Sequence, residues 1–188
     1  CALPIWWTDG AVATRHLAVP GDKTIGYASN RGWNFPDGTV LVQTLTLGAS
    51  SDRARPGLRI ETRIFTRQEG QWAGYSYRWN ESQTDASLVP AGGADATFTV
   101  PDPAAAGGSR LQKWHFPSRS ECLACHSRAV NFVLGMSEAQ MNREHVYESG
   151  VRDNQIRALS HIGRFKDPRS EPASELTRLD RKSTRLNS

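Results

Sequence analysis

Five consecutive residues, Cys122-Leu123-Ala124-Cys125-His126, restrict this chain more than any other feature. Two thiols a helical step apart can add across the vinyl groups of a porphyrin, and a histidine directly after the second is then placed under the ring to bind its iron. Cys-x-x-Cys-His is the attachment signature for haem c. Two plainer readings of Cys-x-x-Cys compete with it, half a zinc site and a redox dithiol. Tetrahedral zinc needs two more ligands, and the sequence holds no second cysteine pair. A thioredoxin-like dithiol has no use for the histidine. The expected cofactor is covalent haem c, held by Cys122 and Cys125, with His126 as the proximal iron ligand.

The opposite side of the iron is open. Met136, Met141, His145 and His161 follow the motif, and His115 precedes it. A methionine ligand would raise the reduction potential relative to a second histidine. Met141 and His145 lie four apart, which places them on one face if the segment is helical. The same spacing suits a plain amphipathic helix, where a lone methionine is usually core and a lone histidine usually surface. A five-coordinate iron, or a ligand outside this sequence, completes the alternatives.

Both ends of the chain read as translated sequencing adapter: Cys1 to Ile5, and Asp180 to Ser188. Such segments are set aside before fold reasoning. Cys1 then drops out, the motif holds the only native thiols, and no disulfide framework is expected. The last nine residues carry three cations and one carboxylate, so the net charge of +4 falls to +2. The pI of 9.2 is inflated accordingly and implies no nucleic-acid partner. No apolar run approaches the roughly 18–20 residues of a membrane span.

From Trp6 to Phe116 the pattern is that of strands punctuated by glycine and proline. Residues 39–47 are rich in β-branched side chains. Residues 58–67 alternate: Leu58, Ile60, Thr62 and Ile64 form one face, and Arg59, Glu61, Arg63 and Arg67 the other. That pattern predicts a half-buried strand with a wet side. Gln68 to Gln71 reads as a hairpin loop and Trp72 to Trp79 as the return strand. Pro101 to Ser109 is a hairpin loop or a linker, and Leu111 to Phe116 one more strand. From Ser118 the pattern turns helical. Ser118 or Ser120 caps a helix carrying the motif. Ser137 with Gln140 forms a capping box opening a helix to about Ser149, stopped by Gly150. Asp153 or Asn154 caps a short helix, Gln155 to His161, ended by Gly163. The fold class expected is α+β. An antiparallel β sandwich or barrel-like domain over 6–116 precedes a small helical haem segment over 117–179.

Other polar clusters have two readings each. Glu81 and Asp85 could perform acid–base work or hold a cation; the surrounding Asn, Ser and Thr equally make a self-satisfied turn with Trp79 as a core plug. Trp72, Tyr75, Tyr77 and Trp79 could form a sugar platform, but aromatics on a strand are more often core or cross-strand pairs. Arg110, Lys113 and Arg119 could pair with haem propionates or form a solvated basic face. No nucleophile–His–acid array, phosphate loop or nucleic-acid module is present.

The chain resembles a family of bacterial periplasmic c-type cytochromes, dihaem proteins of unassigned role, some fused to PQQ-type sugar dehydrogenases. The resemblance rests on an ordered set: Trp7-Thr8-Asp9-Gly10-Ala11, Trp33 to Leu41, Ile60 to Arg63, Tyr77 to Ala86 and Pro117 to His126. It implies a second Cys-x-x-Cys-His, expected beyond Leu179, so only the first haem is carried over. It also implies an electron carrier in the periplasm, with a signal peptide upstream of this sequence. The partner implied is a redox protein such as a periplasmic dehydrogenase. The alternative is the haem domain of a periplasmic oxidoreductase, a dehydrogenase or peroxidase, with a substrate site in the β domain around Glu81 and Asp85. A third reading is a glycan-binding β domain with the haem as a sensor.

Overall fold

The computed structural model describes residues 10–48, 57–147, 149–167 and 171–178. Both adapter-like ends and Trp7-Thr8-Asp9 lie outside the described residues. The longest alternating run folds as the longest strand. β1 (Val12–Ala18), β2 (Val40–Leu47), β3 (Leu58–Gln68), β4 (Gln71–Trp79) and β5 (Ala86–Leu88) form one antiparallel sheet in sequence order. β3 and β4 are joined by Glu69-Gly70, both left-handed at φ 50° and 74°. Two such residues match the twist of a tight hairpin. β6 (Ala94–Pro101) and β7 (Ser109–Phe116) form a separate hairpin, so Pro101 to Ser109 is its loop. Its Val100, Trp114 and Phe116 pack with Leu45, Leu47, Ile60 and Val89 into one buried cluster.

The strand faces depart from simple alternation. Leu45 pairs with Glu61 and Thr46 with Arg59, so Ile60 is an extra residue, a β-bulge. A bulge reverses which side the following residues take. Ile60 and Glu61 are therefore both buried, so one carboxylate of the side expected to be wet lies inside.

The fold class differs from the expected one. The described residues are about 41 % strand and 13 % helix, so the chain is mostly β rather than α+β. The sheet is open: β1 and β5 are edges, and β6–β7 shares no ladder with it, so no barrel closes. The expected helical segment holds only short helices, α1 (Arg119–Cys125), α2 (Glu138–Met141) and α3 (Gln155–His161). α2 stops where the capping box predicted a long helix. Ser137 makes no side-chain cap, because its hydroxyl bonds the Gln140 side chain at 2.9 Å. After it, β8 (Glu144–Val146) pairs with β9 (Arg152–Asn154), and Gly150, at φ 82°, serves their turn rather than a helix end. α3 matches its predicted bounds, and Asn154 caps it.

The chain divides into two units. The first takes described residues 10–18 and 37–125, so α1 groups with the strands. The second takes 19–36 and the described residues from His126 onward. In the second, Tyr27, Trp33 and Phe165 form an aromatic triangle with ring centroids 5.1–5.4 Å apart. Ile25 joins Phe165 through a backbone bridge.

Candidate functional site

α1 starts at a capping box that the sequence shows as Ser118-Arg119-Ser120-Glu121. The Ser118 hydroxyl accepts from the Glu121 N–H at 3.2 Å, and the Glu121 carboxylate accepts from the Ser118 N–H at 2.7 Å. Two otherwise unpaired donors are satisfied at once. Glu121 is held well below the usual carboxylate range, to about 2, first by the Ser118 backbone N–H, then by the Ser118 hydroxyl and His115. His115 Nε2 lies 3.2 Å from Glu121, and its Nδ1 lies 2.7 Å from Asp95, its cross-strand partner. These two carboxylates push the imidazole pKa up, Asp95 most.

Cys122 and Cys125 stand one turn apart on α1, and His126 follows in the chain. Cys122 is half-buried against β4. A Cβ added at Gly74 would stand 2.9 Å from its Cβ and 3.0 Å from its Sγ. Burial pushes the Cys122 thiol pKa up.

His126 Nδ1 lies 2.6 Å from the Phe132 carbonyl. A carbonyl only accepts, so Nδ1 carries a proton, and in the neutral ring the lone pair is then on Nε2. That is the tautomer a metal-binding histidine holds when a backbone carbonyl orients it. The residues present thus fit covalent haem c on the helix step of the two cysteines and on the protonated Nδ1 of the histidine that follows them.

The candidate distal ligands are scattered over different elements. Met136 lies before α2, and its carbonyl accepts from Trp33 N–H at 3.3 Å. Met141 ends α2, whereas His145 is an exposed residue of β8 with its ring edge-on to Tyr147 at 4.8 Å. They do not share a helix face. His161 ends α3 and is exposed, and His115 is engaged by Asp95 and Glu121. Among the described residues, no group of three or more His, Cys, Asp or Glu side chains is placed to hold a metal ion.

Asn80 to Asp85 forms the self-satisfied turn. Asn80 Oδ1 accepts from Thr84 N–H at 3.0 Å, Asn80 N–H donates to Asp85 O at 2.9 Å, and Glu81 and Asp85 are exposed. Gln83 bonds both backbone groups of Arg59, and the Arg59 guanidinium lies 3.8 Å from the Trp79 ring centroid. The four aromatics make no common platform. Strand alternation sets Trp72 on the side opposite Tyr75, Tyr77 and Trp79, and Trp72 is stacked on Phe65 at 4.8 Å. Of the cations, Arg110 pairs with Asp102 at 3.3 Å, Arg119 lies 5.0 Å from the Tyr75 ring, and Lys113 is exposed on β7.

Sequence reasoning missed three features. Glu61 is fully buried and is bonded by Arg63 Nε at 2.8 Å, Trp114 Nε1 at 3.0 Å and the Ser76 hydroxyl. Gly74, a glycine inside a strand, marked the close approach of Cys122. Asn131-Phe132, the turn that orients His126, carried no signal beyond the tolerance of Asn for left-handed backbone. No helix among the described residues is long and apolar enough to cross a membrane. No family model, no characterised protein and no solved structure matches the chain.

Proposed function

We propose that this chain is a c-type cytochrome that passes single electrons through one covalently attached haem. The observation that carries the reading is the Cys-x-x-Cys-His motif on a capped helix, followed by an imidazole whose Nδ1 proton is committed to the Phe132 carbonyl. When bound, haem supplies a one-electron ferric–ferrous couple. The chain's own residues do the rest. Cys122 and Cys125 would hold the porphyrin, and His126 would present Nε2 to the iron. Ser118 and Glu121 keep the thiols in register by fixing the first turn of α1. Attachment of haem c implies export, and a periplasmic location with a redox protein as partner follows. The ordered motifs support a place near the dihaem periplasmic cytochromes. In the Trp79–Asp85 turn the Asn80 side chain bonds Thr84 and the Asp85 N–H, which supports a structural role for that turn.

The test is expression of the complete gene with cytochrome c maturation machinery, followed by a denaturing gel stained for haem and by reduced and oxidised spectra. Covalent haem with a sharp reduced α band is expected. Absence of covalent haem would sink the reading. A near-infrared charge-transfer band would assign methionine as the sixth ligand.

A further inference from the structure

We propose that Asn131 is the positioning residue of the proximal histidine, acting through the Phe132 carbonyl; this rests on the reading that His126 serves the iron. Phe132 is left-handed at φ 64°, directly after Asn131 at φ 52°. A bulky side chain adopts that conformation only where its surroundings impose it. The Asn131 side-chain amide supplies the imposition. Its Nδ2 lies 3.1 Å from Gly32 O, 3.0 Å from Trp33 O and 2.9 Å from Asn34 Oδ1.

The acceptors are themselves rigid. Trp33 and Phe35 are buried, and Asn34 exchanges two 2.8 Å backbone bonds with Gly26. The approach is close enough to need glycine at position 32, where a Cβ would stand 2.6 Å from Val130 O. Within the turn, Phe132 N–H donates to Ser127 O at 2.9 Å and Val133 N–H to Asn131 O at 2.8 Å. One amide thus anchors the turn to the 32–34 segment, and the turn aims its carbonyl at His126 Nδ1. A fixed Nδ1–H donor makes the imidazole a stronger ligand, which favours ferric iron and lowers the reduction potential.

Two substitutions isolate the amide. Asn131→Gly keeps the left-handed backbone and removes the side chain. Asn131→Asp keeps size and backbone tolerance but sets an acceptor against three oxygens. The full-length 15N-labelled chain is studied first without haem. Long-range 15N–1H correlation of His126 should show the Nδ1–H tautomer in wild type and a mixture of tautomers in both variants. In the matured protein, the midpoint potential should rise in both variants at unchanged haem stain. Asn34→Ala, which removes one exposed acceptor, should shift both readouts the same way by less, and decides the matter if the Asn131 variants do not fold. Wild-type tautomer and wild-type potential in a folded variant would overturn the proposal. If wild type takes up no haem, the cytochrome reading fails, while the tautomer measurement still decides the role of Asn131.

Discussion

The indole N–H of Trp114 donates to the carboxylate of Glu61 at 3.0 Å, across fifty-three positions of sequence. It joins the β6–β7 hairpin to the five-stranded sheet with a charged hydrogen bond in a buried setting. Arg63 grips the same carboxylate through Nε at 2.8 Å and Nη2 at 2.9 Å. Removing one member of such a group leaves the others buried and under-bonded.

Glu61→Gln should therefore cost about 3 kcal/mol of stability, the cost of breaking a buried charge pair on one side. Urea denaturation of the haem-free chain measures it. A loss below about 1 kcal/mol would put the pair with exposed salt bridges instead. Trp114→Phe should cost about 2 kcal/mol from the lost charged hydrogen bond alone.

Gly74→Ala should displace α1 from β4, because the Cβ and Sγ of Cys122 stand where the methyl group must go. Cys122 should then be more exposed, and iodoacetamide should alkylate it faster than in wild type at the same pH. Covalent haem yield should fall in parallel. Unchanged alkylation would show that the helix adjusts without exposing the thiol.

The His115 bridge predicts a pH dependence. Its folded-state pKa is raised by Asp95 and Glu121. Its contribution is full below the unfolded value of about 6.5 and is lost as pH rises through the higher folded value. Glu121 works in the other direction: its contribution is present above its unfolded value and lost as pH falls toward about 2. His115→Gln should flatten the fall of the denaturation midpoint as pH rises above about 6.5, and leave the midpoint unchanged where the imidazole is neutral in both states. Both groups are exposed, so the slope should be shallow.

Two serine- or asparagine-headed helices separate cap from imitation. Asn154 Oδ1 accepts from Ile156 N–H at 2.9 Å and Arg157 N–H at 3.3 Å. Asn154→Ala should cost about 1 kcal/mol and speed amide exchange in α3. Ser137→Ala should stay within about 0.5 kcal/mol, because the Ser137 hydroxyl bonds a side chain rather than the backbone.

Local signals were legible wherever the chain satisfied itself nearby. The alternation of β3, its two-residue hairpin to β4, and the cap and glycine stop of α3 each lie within a few residues of their cause. The Ser137 box misled because its partners were free to bond each other, and the β8–β9 ladder used the following residues instead. The strand faces were misread because one bulged residue, Ile60, reverses parity, and alternation carries no mark of a bulge. The thiols and the histidine of the candidate site were legible as a motif. Glu61, Gly74 and Asn131 were not, because each is defined by a contact with a residue far along the chain.

The sequence by itself determined the chemistry on offer: two thiols a turn apart, a histidine after them, and strands enough for an antiparallel sheet. Covalent spacing settles those without reference to the rest of the fold. Only the tertiary structure decided that the sheet stays open, that a carboxylate lies beneath the hairpin, and that Asn131 bonds the 32–34 segment. Those depend on which distant groups desolvate one another, and burial is a property of the packed chain.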